Sequence, residues 1–181
     1  MTDLILRDAT ETDIPALSHL ATDSFIAKFG ELYSAQDLHS FLADNLSEPA
    51  IAAELANPQR VYQLAERDGE LVGYTKIGLT CGFPEQARGQ RVMELKQLYT
   101  AAGATGGGIG KALMDWAMEQ FTTRGADEVQ LSVYAHNDGA HRFYRRYGFD
   151  KVADITFRVG EQLDPEFLFA RMLDHGAQGY P

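Results

Sequence analysis

Between an apolar segment, residues 93–100, and an amphipathic one, residues 112–121, the chain runs Thr105, Gly106, Gly107, Gly108, Ile109, Gly110, Lys111. Glycines let a backbone come close to a bound group, and the first N–H groups of a following helix lack intrahelical partners and can face an anion. The run therefore reads as a phosphate cradle between a strand and a helix. Two nucleotide patterns fail on it. A Walker A loop would need Gly at 105 and Ser or Thr at 112, where the chain has Thr105 and Ala112. A GxGxxG pattern begun at Gly106 ends on Lys111, and begun at Gly108 it ends on Leu113.

Thiol and imidazole chemistry is less promising. Cys81 is the only cysteine, which excludes an intrachain disulfide and argues against a thiolate zinc site. His136 and His141 are not spaced to share a helix face, while His19, His39 and His175 stand alone, so solvated or capping roles and no metal are expected.

The elements that must position the loop follow from periodicity and punctuation. Residues 4–7 read as a strand, followed by the N-cap-rich turn Thr10, Glu11, Thr12, Asp13 and a helix with the stripe Leu17, Leu20, Ala21, Phe25 and Phe29, stopping at Gly30. Ser34 opens a second helix and Ser47 with Pro49 a third. Residues 61–66, the turn Asp68–Gly69 and residues 71–79 form a hairpin. Residues 80–91 read as a mobile loop before the strand 92–100. After the glycine run, Leu113, Trp116, Ala117, Gln120 and Phe121 give the next helix one apolar face, with Trp116 in the core. A strand at 129–134, a helix at 138–147 capped by Asn137 and stopped by Gly148, and strands at 149–157 and 167–173 complete the chain. On that last helix Ala140, Phe143 and Tyr147 form the core stripe, with Tyr144 at its edge near solvent or a cleft. The expected fold is α/β (α+β): one domain over 1–174 with a mixed central sheet of about six to seven strands flanked by helices, and a frayed tail at 175–181.

Three pieces in order carry a resemblance: the strand Glu94, Leu95, Lys96, Gln97, Leu98, Tyr99, Thr100; the loop Thr105 to Lys111; and Asn137 followed by Ala140, Phe143, Tyr144, Gly148 and Phe149. Together they resemble the GNAT superfamily of N-acetyltransferases. The family's loop reads Gln or Arg, two variable residues, Gly, one variable residue, Gly or Ala; Gly108 and Gly110 meet it, and Thr105 departs from it. The resemblance implies acetyl-coenzyme A as co-substrate, held at Thr105, Gly106, Gly107, Gly108, Ile109, Gly110 and Lys111, with backbone N–H groups on the pyrophosphate. Leu98, Tyr99 and Thr100 match the strand whose backbone bonds the pantetheine amides. Asn137 matches a position that contacts the pantetheine arm or orients its helix, and an N-cap is compatible with both. Arg142, Arg145, Arg146 and Lys111 either meet the 3'-phosphate or form the wet face of their helices.

Tyr144 matches the tyrosine that protonates the departing thiolate; a phenol of pKa about 10 is protonated at neutral pH and can donate as charge develops. Glu94 matches a glutamate that some members use as base. Strand alternation places Lys96 on its face, so a structural ion pair, with a water chain as base, is the alternative.

The first half extends the resemblance to bacterial polyamine acetyltransferases of the PaiA type: Ser-Phe-Ile-Ala-Lys-Phe at 24–29, Ser-Ala-Gln-Asp-Leu at 34–38, Ile-Ala-Ala-Glu-Leu at 51–55 and Val-Gly-Tyr-Thr-Lys at 72–76. In such folds the first helices roof the acceptor site, which makes Phe29, Glu31 and Tyr33 candidates to line it, unless the aromatics are core. The implied reaction is acetyl transfer to a primary amine by direct attack, with a polyamine as first acceptor and a peptide or another small amine as alternative. A sensor that binds acetyl-coenzyme A without turnover is a separate reading, against which Tyr144 argues. Homodimers are common among proteins of this resemblance.

Lys plus Arg 16 against Asp plus Glu 26 leaves a charge of −10, which disfavours nucleic acid and anionic lipid and attracts a small cation, or serves solubility alone. The start of the chain has acids where a signal peptide needs bases, and no apolar run approaches spanning length. A cytoplasmic protein with a small-molecule amine acceptor, and with no nucleic-acid or membrane partner, is expected.

Overall fold

Ser34, Ser47 and Asn137 each begin a helix by local chemistry. Their side-chain oxygens accept from the N–H groups of Asp37 at 3.1 Å, Ala50 at 3.4 Å and Ala140 at 3.1 Å. Each cap satisfies a donor the helix cannot, at a benefit of about 1 kcal/mol. The computed structural model describes residues 3–104 and 106–174; Thr105 and the expected tail 175–181 lie outside the described residues.

In order the elements are β1 (Ile5–Asp8), α1 (Ile14–Phe29), α2 (Ala35–Asn45), α3 (Glu48–Ala56), β2 (Arg60–Arg67), β3 (Glu70–Gly78), β4 (Val92–Thr100), α4 (Ile109–Thr123), β5 (Glu128–Tyr134), α5 (Asp138–Arg146), β6 (Asp150–Val159) and β7 (Gln162–Met172). The strands form one seven-stranded sheet in the order β1-β2-β3-β4-β5-β7-β6. Every pairing is antiparallel except β4 with β5. The expected mixed sheet flanked by helices is thus present.

Strand alternation gives the sheet two apolar faces. On one, Leu17, Ala21 and Phe25 of α1 and Phe41 of α2 pack with Ile51 of α3 on Leu64 and Tyr74. On the other, Met114, Ala117 and Phe121 of α4 pack on Ile77, Met93, Val129 and Leu131, with Trp116 partly buried beside them. Phe121 is fully buried; truncating such a side chain to Ala costs about 3–5 kcal/mol.

Two expectations change. Residues 80–91, expected to be mobile, are tied to the sheet end by carboxylates. Glu128 accepts from the N–H groups of Arg88 and Gly89, at 2.6 and 2.7 Å, and Asp127 from those of Gln90 and Arg91, both at 2.9 Å. On α5, the buried residue is His141, expected to be solvated or capping. Its Nε2 lies 3.0 Å from the Tyr134 carbonyl, and its ring lies against Phe167 and Phe169 at 5.3 and 5.5 Å. A ring nitrogen satisfied inside its own neighbourhood can be buried at little cost.

Candidate active site

β4 and β5 are hydrogen-bonded only from Val92 opposite Glu128 to Glu94 opposite Gln130. On its other edge β4 follows β3 to Thr100, but Lys76 faces Gln97 and Ile77 faces Leu95, leaving Lys96 as an extra residue. A bulge of this kind bends and twists its strand. The second half of β4 therefore parts from β5, and its backbone edge toward the gap is left without a strand neighbour. Such an edge supplies N–H and C=O groups to an extended ligand.

A cavity of about 740 Å³ opens there, lined among others by Leu98, Thr100, Gly106, Gly108, Ile109, Gly110, Lys111, Asn137 and Tyr144. Residues from three separated stretches of sequence are thus brought to one place. Gly106 and Gly108 have φ of 88° and 74°, which side-chain-bearing residues rarely adopt. A Cβ on either would meet nothing within 4 Å, so the space beside the loop is open. Gly108 is the N-cap of α4 and supplies no side-chain cap, leaving the first N–H groups of that helix for an anion. Gly107 turns outward, where its carbonyl accepts from Arg67 Nη2 at 3.2 Å. Of the cations, Lys111 and Arg146 line the cavity, and Lys111 also pairs with Asp115 at 2.5 Å. Arg145 instead sits over the Phe169 ring, and Arg142 is exposed.

A second cavity of about 180 Å³ shares Lys28, Phe29, Leu98, Tyr134, Asn137, Ala140 and Tyr144 with the first, so the two join. Its walls include Phe25, Phe29, Tyr33, Phe41, Tyr99, Tyr134 and Phe157, with Asp164 and Glu166 among them. Phe29 and Tyr33 line this cavity; Glu31 is exposed and lines neither. Tyr99, expected on the cofactor side, lines this smaller cavity. Tyr33 donates its phenol to Asp164, which also accepts from Gln162 Nε2 at 2.7 Å. Glu166 is less well provided for: its Oε2 is buried without a hydrogen-bond partner, and burial pushes its pKa up to about 7.

The two cavities meet where β4 and β5 part, and residues of α1 and α5 line both. On β7, Phe167 and Phe169 lie against His141 of α5, so Asp164 and Glu166, alternating with them, face the side of α1. Tyr144 comes from α5 yet lines both cavities, because the parted strands leave a passage between the faces. Burial pushes its phenol up to about 12, and its hydroxyl makes no hydrogen bond to a described residue. Lys28 also stands at the seam, with its ammonium 5.4 Å from the centre of the Tyr99 ring and its pKa lowered by burial.

Glu94, expected as a candidate base, has another task. It lines neither cavity; its buried carboxylate pairs with Lys96 at 2.9 Å and accepts from the Gly82 N–H at 2.7 Å. Alternation and the single bulge bring the lysine to it, and the pair pins the start of the loop 80–91. Asp164 and Glu166 were not singled out from the sequence, although two acids at alternate positions ahead of the apolar run 167–170 were the available signal.

A profile of the acetyltransferase (GNAT) family matches residues 15–149. An uncharacterised N-acetyltransferase of Mycobacterium tuberculosis is 31% identical over 163 residues, which cover 90% of this chain and 99% of the relative. The aminoalkylphosphonate N-acetyltransferase of Salmonella typhimurium is 31% identical over 145 residues, 80% of this chain and 83% of that one. Among solved structures, the PaiA N-acetyltransferase of Thermoplasma acidophilum in complex with coenzyme A superposes with a TM-score of 0.75 at 20% identity, over 94% of this chain and 99% of that one.

Proposed function

This chain belongs to the acetyltransferase (GNAT) family, and from that premise we propose that it moves acetyl from acetyl-coenzyme A to a primary amine by direct attack. The observation that carries the reading is Tyr144 at the seam of two joined cavities, one edged by a phosphate-type loop and the other lined by aromatics and carboxylates. The glycine loop and the start of α4 hold the pyrophosphate through backbone N–H groups. The free edge of β4 at Leu98 and Thr100, with Asn137 across from it, lines the path of the pantetheine arm. Tyr144 donates its proton to the sulfur as the carbon–sulfur bond breaks. Its raised pKa keeps the phenol protonated at every working pH.

The aromatic walls with Asp164 and Glu166 suit an alkylammonium, by cation–π attraction and by charge. A polyamine is the first acceptor to try, which the acidic chain also favours. A second reading, an amine that carries an anionic group, is supported by Lys28 at the seam. Coenzyme A release measured across polyamines, aminoalkyl acids, aminoalkylphosphonates and peptides decides between them. Saturable turnover of a polyamine supports the first; saturation only by peptides would overturn both small-amine readings.

A further inference from the structure

Resting on that acetyltransferase reading, we infer that Glu166 is the group that takes the proton from the incoming ammonium. Asp164, its neighbour on the same face of β7, has its donors in Tyr33 and Gln162. Glu166 lines the acceptor cavity with one oxygen buried and unbonded. A carboxylate left in that state is costly in an empty site and gains a partner when an ammonium enters. Glu94 is held in its ion pair with Lys96 and does not compete.

The step balances without another reagent. Ammonium gives one proton to Glu166 and becomes a free amine, whose nitrogen lone pair forms the new bond to the thioester carbon. The carbon–sulfur bond breaks, the sulfur takes the proton of Tyr144, and the proton still on the new amide nitrogen returns to the tyrosinate. Glu166 then releases its proton to solvent, so the net yield is amide, thiol and one proton.

The groups around this cavity set the sign of the pH dependence. Burial raises the Glu166 pKa to about 7, a hydrogen bond from Ser132 opposes it, and the Asp164 charge adds a smaller upward push. Tyr33, Tyr99, Tyr134 and Tyr144 line the same cavity, with Lys28 and the paired Lys96. Ionised Glu166 is the active form of the free enzyme, so kcat/KM for the amine should rise about tenfold per pH unit below 7 and level off above it.

The test is the pH profile of coenzyme A release for wild type, Glu166→Gln and Glu166→Asp with the best amine, alongside acetyl-coenzyme A binding by calorimetry. The expected result is a fall in kcat of about 10² to 10⁴-fold in Glu166→Gln, loss of the limb near pH 7, partial recovery in Glu166→Asp, and unchanged cofactor affinity. A rise in the amine KM with kcat and profile intact would make Glu166 an anchor and overturn the inference. Should Glu166→Gln not fold, a wild-type kcat/KM for the amine flat between pH 5.5 and 8 overturns it equally. Loss of cofactor binding in the wild type would instead sink the acetyltransferase reading itself.

Discussion

Arg67, at the end of β2, donates from Nη2 to the carbonyl oxygen of Gly107 at 3.2 Å and so ties the β2–β3 hairpin to the glycine loop. In the family pattern a long Gln or Arg opens that loop, and this chain has Thr105 there. Here a guanidinium reaches the loop from another strand. Arg67→Ala is expected to raise the KM for acetyl-coenzyme A roughly tenfold with kcat nearly unchanged, since a hydrogen bond to a charged group is worth about 1.5 kcal/mol or more. Initial rates at varied acetyl-coenzyme A check it, and Arg67→Lys should recover part of the loss.

Gly108 and Gly103 both hold left-handed backbone, at φ of 74° and 81°, but of the two only Gly108 lines the larger cavity. An Ala at either position carries a strain of about 1–2 kcal/mol. Both variants should therefore melt lower by a similar amount. Only Gly108→Ala should also weaken coenzyme A binding in calorimetry, because its Cβ points into open space beside the loop.

The raised pKa of Glu166 has a consequence for stability. Folding shifts this carboxyl from its ordinary value of 4.5 to about 7, so the folded protein holds the proton more tightly than the unfolded chain. Below pH 4.5 both states are protonated and nothing is lost. Between 4.5 and 7 the cost grows, and above 7 it is complete at about 3 kcal/mol. Glu166→Gln should consequently melt higher than wild type at pH 8 and with it at pH 4; thermal melts at the two pH values read this directly.

Glu94→Gln separates the two glutamates. It leaves the half-buried Lys96 without its partner, which should destabilise the fold by about 1–2 kcal/mol in denaturant melts. Turnover per folded molecule should stay within a fewfold of wild type, whereas Glu166→Gln should show the opposite balance.

Much of this fold was legible because its signals are local. The Ser34, Ser47 and Asn137 caps and the Asp68–Gly69 turn each depend on residues a few positions apart. The parting of β4 from β5 was not, because it depends on a register shift at Lys96 set by the neighbouring strand. The hold of Asp127 and Glu128 on residues 88–91 spans more than thirty positions, and periodicity cannot express it. Asp164 and Glu166 of the smaller cavity were missed for a further reason. Pro165 lacks an N–H and argues against a strand between two others, yet β7 runs from Gln162 through it, with the Pro165 carbonyl accepting from Ala135. Expecting the strand to begin at 167 left Asp164 and Glu166 in a connection, where their shared face could not be seen.

In the proposed reaction Tyr144, where the two cavities meet, completes acetyl transfer by protonating the leaving thiolate. Steady-state coenzyme A release by Tyr144→Phe, with acetyl-coenzyme A affinity measured on the same sample, tests it most directly. The variant's kcat should be lower by about 10² to 10⁴-fold, with affinity near that of the wild type. An unchanged kcat at unchanged affinity would contradict it.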